Sequence, residues 1–191
     1  HGLYDMAYLS QMPNMTVLSP CSFAQLEEMI DYAVNCVSGP VAIRYPRGNV
    51  SYDAAEHFTP QKPLVIGEIG ENVIITTGTI AENAIEAVEI LKKDNIKASV
   101  LVLNEIKNDC DEVYELIKNA KHILTIEDHN IYGGISSIIG TMLSKKPEKI
   151  KFSSLAFPCE PITQGSVCEL YRHYGLDAVS CADKMKELLN G

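Results

Sequence analysis

From Asn72 to the carboxyl end, short runs of aliphatic and β-branched residues alternate with longer runs of helical periodicity, and that alternation leaves few folds open. Asn72–Thr77, Ala98–Leu103, His122–Ile126 and Ile150–Ala156 read as strands. Helical faces follow in turn: Ala84, Ile85, Val88 and Leu91, then Val113, Leu116, Ile117 and Ala120, then Ile135, Ile138, Ile139, Met142 and Leu143. Val167, Leu170 and Tyr171 mark another helix, and Ala182, Met185, Leu188 and Leu189 a last one over about 179–190. Thr79 with Glu82 and Ser166 with Glu169 have capping-box spacing, and Tyr174-Gly175-Leu176 has the form of a glycine C-cap. Strands alternating with helices specify an α/β fold with a mostly parallel sheet and helices on both faces.

The front of the chain carries a smaller unit of the same kind. Thr16–Ser19 reads as a strand closed by Pro20. Ser22 and Gln25 have capping-box spacing, and Leu26, Met29, Ile30, Ala33 and Val37 give an amphipathic helix over 22–37. Ser38-Gly39-Pro40 ends it, and Val41–Tyr45 returns as a strand, so the unit is strand–helix–strand and parallel. Before it, His1–Asn14 supports one helical turn at most. Periodicity fades from Arg47 to about Glu71, where Pro60, Gln61, Lys62 and Pro63 cluster. The expected division is therefore 1–50, a linker at 51–71, and a second domain at 72–191, with Leu64–Ile66 docking as an edge strand or latch. The chain begins with His1, inside what looks like a motif, and is read as a fragment of a longer protein.

Composition excludes some functions. Hydrophobic residues at 46% with 21% charged suffice for a buried core, and a net charge of −9 without a basic run argues against nucleic acid or an anionic membrane as partner. Six cysteines without C-x-x-C spacing read as buried apolar residues of a reducing cytoplasm, neither a disulfide frame nor a zinc site. No apolar run reaches membrane length, and no signal segment is evident.

Chemistry is concentrated in a few short stretches. In V-A-I-R-Y-P-R-G-N (Val41–Asn49), Pro46 stops the strand and frees Arg47 at its carboxyl end, where open α/β sheets bind ligands and a guanidinium suits a phosphate. An ordinary surface arginine is the plainer alternative. Arg44 lies inside the strand, and its stem is expected to be packed. Glu127-Asp128-His129 at a strand end, with Gly133-Gly134 before a helix, has the residues for acid–base work or for exposing a helix N-terminus to an anion. The structural alternative, a buried histidine held by a carboxylate at an inter-domain contact, is the preferred reading. Thr77-Gly78-Thr79 is a weaker phosphate-turn candidate.

Several of these stretches carry a family resemblance. R-Y-P-R-G-N, the opening H-G-L-Y-D-M-A-Y-L-S-Q-M-P-N-M, T-I-E-D-H-N-I-Y-G-G (Thr125–Gly134) and I-T-Q-G-S-V (Ile162–Val167) resemble, in order, the 1-deoxy-D-xylulose-5-phosphate synthases, a branch of the transketolase family. Plain transketolases and 2-oxo-acid dehydrogenase beta subunits share E-D-H…G-G but usually not R-Y-P-R-G-N. The resemblance implies the end of a pyrimidine-binding domain followed by a transketolase C-terminal domain. It implies an intact enzyme, a cytoplasmic homodimer, that uses thiamine diphosphate and magnesium to condense pyruvate with glyceraldehyde 3-phosphate, releasing carbon dioxide.

In that reading Arg47 clamps the aldehyde's phosphate, and His1 belongs to a histidine motif that touches cofactor and substrate. The C-terminal domain mostly holds the dimer and the neighbouring domain. No G-D-G diphosphate element occurs in the chain, and the activating glutamate lies upstream of the resembled region. No cofactor or metal is therefore expected on this chain by itself, and missing domains or a partner subunit are expected to supply them. Lys107-Asn108-Asp109-Cys110 stands where the family has K-P-L-D, a departure from the pattern. A non-catalytic assembly module, or part of a transketolase or dehydrogenase beta subunit, are the alternatives.

Overall fold

A computed structural model describes residues 2–46, 57–107, 110–147 and 149–191. A short helix α1 (Asp5–Leu9) leads into β1 (Thr16–Leu18), α2 (Phe23–Asn35) and β2 (Val41–Ile43). Next come the strand β3 (Leu64–Ile66) and the unit β4 (Asn72–Thr76), α3 (Ala81–Lys93), β5 (Ser99–Val102). The short β6 (Glu105–Ile106) and α4 (Asp111–Ile117) precede β7 (His122–Asn130), α5 (Ile135–Ser144) and β8 (Lys151–Phe157). Two helices, α6 (Val167–His173) and α7 (Ala178–Asn190), close the chain.

Among the described residues the strands form two sheets, ordered β2-β1-β6 and β3-β5-β4-β7-β8. In the larger sheet β5, β4, β7 and β8 are parallel, and β3 adds antiparallel at the edge beside β5. The α/β architecture read from the sequence is thus present, with Leu64–Ile66 as the expected edge strand. In the smaller sheet β1 and β2 are parallel, as the strand–helix–strand unit required, while β6 joins β1 antiparallel.

Alternation along the strands divides the core. Val73, Ile75, Leu101 and Ile123 face α4 and α5, packing with Val113, Ile117, Ile135, Ile139 and Met142. Ile74, Val100, Leu124 and Ile126 face the other way, against Ala84, Ala87 and Leu91 of α3 and Cys181, Ala182 and Met185 of α7. Strand period two thus sends consecutive residues to opposite layers. The small side chains of α3 and α7 let both helices lie close on the sheet. Met6 of α1 and Val17 of β1 belong to the first of these cores, so the two sheets share buried apolar contacts.

Capping follows the sequence in part. Ser166 and Glu169 form the complete reciprocal box on α6. Gly175, at φ +70°, follows the end of that helix as the glycine signature required. Ser22 accepts from the Gln25 amide, but the Gln25 side chain takes the Cys21 N–H in place of that of Ser22. Its amide also donates to the His57 carbonyl, tying α2 to a distant segment. Thr79 does not cap α3: a 3-10 turn over Gly78–Ile80 leads into it, and Thr77 Oγ1 donates to the Leu103 carbonyl at 2.6 Å.

A candidate functional site at the carboxyl edge of the larger sheet

Strand β4 feeds α3 on one face and β7 feeds α5 on the other, so the carboxyl ends of these neighbouring strands flank the topological switch point, the usual ligand crevice of an open α/β sheet. Here the front of the chain fills that crevice. Ser19 N donates to the Asn104 carbonyl at 2.9 Å, and Asn130 N donates to the Leu3 carbonyl at 2.8 Å. A Cβ on Gly78 would stand 2.8 Å from Ser19 Oγ and 3.8 Å from Arg44 Nη1. The Thr77-Gly78-Thr79 turn is therefore covered by protein, which removes it as a phosphate site.

Arg44 is the hub. Its Nη1 donates to Asp128 Oδ1 at 2.8 Å and Nη2 to the Asp128 carbonyl at 2.9 Å. Nε lies 2.9 and 3.1 Å from the two carboxylate oxygens of Asp5, and Nη2 also reaches the Gly2 carbonyl at 3.2 Å. Its side chain is 13% exposed and those of Asp5 and Asp128 21% each, so these charges meet in a largely dry place. Burial works against the guanidinium's charge, but Asp128 and then Asp5 more than offset it, holding Arg44 protonated. Burial, and then the nearby charge of Asp128, pushes the hydroxyl of Tyr171 on α6 up so that it stays neutral. The packed stem expected for Arg44 is present, although β2 ends one residue earlier.

Glu127, Asp128 and His129 lie within β7, which runs on to Asn130 through an irregularity in its pairing with β8, and not beyond the strand's end. Each side chain has a different task. Glu127 is fully buried and accepts from Ile135 N at 2.7 Å and Ser136 N at 2.9 Å, closing the first turn of α5. Burial pushes its carboxyl up to about 7, against the hydrogen bonds from Ser136 and Ile135. The N-terminus of α5 is thus occupied by an internal carboxylate and offers nothing to a solute anion.

His129, also fully buried, has Nδ1 2.8 Å from the Asn130 carbonyl, while Nε2 accepts from Ala7 N at 3.3 Å. One ring nitrogen donates and the other accepts, which is the neutral tautomer, and burial lowers the ring's basicity further. The structural reading expected a buried histidine held by a carboxylate; the histidine is buried, but no carboxylate among the described residues holds it. In detail, the histidine is held by backbone groups, and the carboxylates serve the helix and Arg44. The paired glycines follow from the same packing: a Cβ on Gly133 (φ +81°) would come within 2.6 Å of Ala7 Cβ, and one on Gly134 within 1.9 Å of Glu127 Oε2.

The two residues to which the sequence assigned substrate chemistry, His1 and Arg47, lie outside the described residues, as do Asn108 and Asp109 of the 107–110 stretch. What the described structure brings together is their chain neighbours, Gly2 and Arg44. Asp5 and Tyr171 were missed as members of this junction. Asp5 stands inside the opening motif, whereas nothing local to Tyr171 points to Asp128. A separate cleft of about 220 Å³ is lined by Lys62, Asn104, Glu105, Lys107 and Asp111, among others. Lys107 pairs with Glu105 there at 3.2 Å, and the mixed charge favours no one class of ligand.

Fold and junction together define a parallel α/β domain whose ligand edge is taken up by an attached strand–helix–strand unit. A family model described as the transketolase C-terminal domain matches residues 65–181, and one described as the transketolase pyrimidine binding domain matches residues 1–52. The chain belongs to the transketolase family. It is 34% identical over 196 residues to a 1-deoxy-D-xylulose-5-phosphate synthase of Chlorobium phaeovibrioides, covering 100% of this chain and 31% of that protein. To the enzyme of the same name from Chlorobaculum tepidum it is 36% identical over 194 residues, covering 98% of this chain and 30% of the other.

The chain thus spans about a third of the length of these curated relatives. Among solved structures, one described as a split gene transketolase, inactive beta4 tetramer, superposes with a TM-score of 0.88 at 25% identity, over 98% of this chain and 62% of that one. A Pichia stipitis transketolase shares the fold at a TM-score of 0.75 and 17% identity, over 100% of this chain and 27% of its own.

Proposed function

We propose that this chain is the C-terminal portion of a 1-deoxy-D-xylulose-5-phosphate synthase, which joins pyruvate to glyceraldehyde 3-phosphate with loss of carbon dioxide. The observation that carries this reading is similarity to synthases of that name along the whole chain. In this reading 1–50 completes a pyrimidine-binding domain, 51–71 links, and 72–191 is the C-terminal domain. Arg47 clamps the acceptor's phosphate, and His1 belongs to the cofactor-facing motif.

Thiamine diphosphate and magnesium belong to the intact enzyme, but the described residues do not fit them. The glycine turns at Gly78 and Gly134 are filled by Ser19, Arg44 and Glu127, and among the described residues no group of three or more His, Cys, Asp and Glu side chains could hold a metal ion. The cofactor is therefore assigned to residues supplied by further domains or by a partner subunit, within a homodimeric enzyme. The solved relative described as an inactive tetramer of one product of a split gene supports the view that such a chain does not act by itself.

The test has two arms. Titration of this chain with thiamine diphosphate and magnesium should give no saturable heat at micromolar cofactor, an affinity of roughly −8 kcal/mol that needs a formed pocket. The chain joined to its cofactor domains should release carbon dioxide from pyruvate and form deoxyxylulose phosphate from glyceraldehyde 3-phosphate. Ketol transfer from xylulose 5-phosphate in place of that reaction would assign it to plain transketolases.

A further inference from the structure

We infer that Asp128, acting through Arg44, is a positioning residue for the substrate-binding segments at the front of the chain. The C-terminal domain thereby sets acceptor specificity without touching the acceptor. This rests on the proposed role of Arg47 as phosphate clamp and extends it to a residue more than eighty positions away, as the Arg44–Asp128 hydrogen bond spans 84 residues.

Two short segments carry the proposed substrate contacts. One begins His1-Gly2, and the other is Arg44-Tyr45-Pro46-Arg47. The guanidinium of Arg44 ties both to one point. It donates to the Gly2 carbonyl, next in the chain to His1, and to Asp5, which opens α1, while its own backbone is three residues ahead of Arg47. The anchor for that fork comes from β7, where Asp128 offers both a carboxylate oxygen and its main-chain carbonyl.

A strand paired on both sides is a rigid mount: β7 lies between β4 and β8, its neighbour His129 is fully buried, and Ala7 N is held by His129 Nε2. Ala7 packs against the Gly133 backbone so closely that a Cβ there would have no room. With Asn130 N on the Leu3 carbonyl, the front segment is therefore located by four contacts from one stretch of β7 and the turn after it. Apolar burial of Met6 and Val17 also holds the front of the chain, but without direction. A five-donor fork adds direction: it sets where residues 2, 5 and 44 lie relative to one another. Small displacements of a binding group cost rate steeply, so this geometry bears on the reaction.

The test is made in the complete enzyme, comparing kcat/KM for glyceraldehyde 3-phosphate with that for D-glyceraldehyde at saturating pyruvate. Arg47→Ala should lower the preference for the phosphorylated aldehyde by about ten- to a hundredfold, the loss of one charge-assisted contact. Asp128→Asn, which keeps the shape and removes the charge, should lower the same ratio by about tenfold while leaving the KM for pyruvate unchanged. Arg44→Lys provides a second route to the same loss should Asp128→Asn fold poorly, because an ammonium cannot span Asp5, Gly2 and Asp128 together.

A purely structural junction would lower activity toward both aldehydes alike. If Arg47→Ala collapses the ratio and neither Asp128→Asn nor Arg44→Lys changes it, the positioning role is overturned while the phosphate clamp stands. If Arg47→Ala leaves the ratio unchanged, the clamp itself is wrong and the positioning role falls with it. If the unaltered enzyme makes no deoxyxylulose phosphate, it is the synthase reading that fails.

Discussion

Glu127 combines complete burial with two backbone N–H donors, and its carboxyl is pushed from 4.5 up to about 7. A carboxyl whose pKa is higher folded than unfolded binds its proton more tightly in the folded state. That contribution to stability is fully present below about 4.5 and is lost as pH rises through about 7. The stability difference between the unaltered chain and Glu127→Gln, measured by urea denaturation, should therefore shift against the unaltered chain across that window. A difference constant from pH 4.5 to 7 would show that the carboxyl does not titrate there. Burial holds the pKa of His129 beside it below its ordinary value. Much of this was legible one residue at a time: the triplet, the glycine pair and Arg44 all stand out in the sequence. Their partners were not, because Arg44 and Asp128 meet only when two sheets dock, and local spacing carries no trace of that contact.

Secondary-structure elements were the most readable level. Period two and helical spacing place β4, β5, β7, β8 and their helices within a few residues, because each buries one regular face. Readability ended where an element continues for tertiary reasons. Glu127-Asp128-His129-Asn130 is polar throughout and has no alternation, yet it extends β7, since Asn130 pairs with Phe157 and donates to the Leu3 carbonyl. Gln25 likewise had the right position for a capping box but found Cys21 and His57 instead. The start of α5 offers the clearest test at this scale. In Gly134→Ala the new methyl would fall on the Glu127 carboxylate that closes the helix, at 1.9 Å, so that carboxylate must move and leave two amides without a partner. A loss of about 2–3 kcal/mol in denaturant unfolding is expected. A loss below about 0.5 kcal/mol would mean that the helix start tolerates another partner.

At the scale of the whole molecule, the sequence reading divided the chain into 1–50 and 72–191 with a linker between, and the structure joins the two sheets through β6 and a shared core containing Met6 and Val17. That sharing qualifies how independent the proposed 72–191 domain can be. A shortened chain of residues 64–191, retaining β3, keeps most of both apolar layers around the larger sheet and loses from them Met6, Val17 and Cys21 with the half-buried Leu3, Leu9 and Met15. It should unfold cooperatively with the circular-dichroism signal of an α/β domain. Hydrogen exchange should then be faster at Asn130 and at the first turn of α5, where the front of the chain supplies cover in the full molecule. Exchange raised equally over all strands would instead mean that the larger sheet cannot stand without its neighbour.

The filled crevice also has a consequence for inheritance. Where a sheet's open edge receives a diffusing molecule, the protein can vary freely so long as that molecule is still recognised. Here the edge receives a stretch of the same polypeptide, so a change at residue 128 is judged by what stands at 44 and at 5. Hybrid genes that join the front of one relative to the back of another should yield soluble, working protein where the acid–arginine–acid match survives the crossover, and aggregate where it does not.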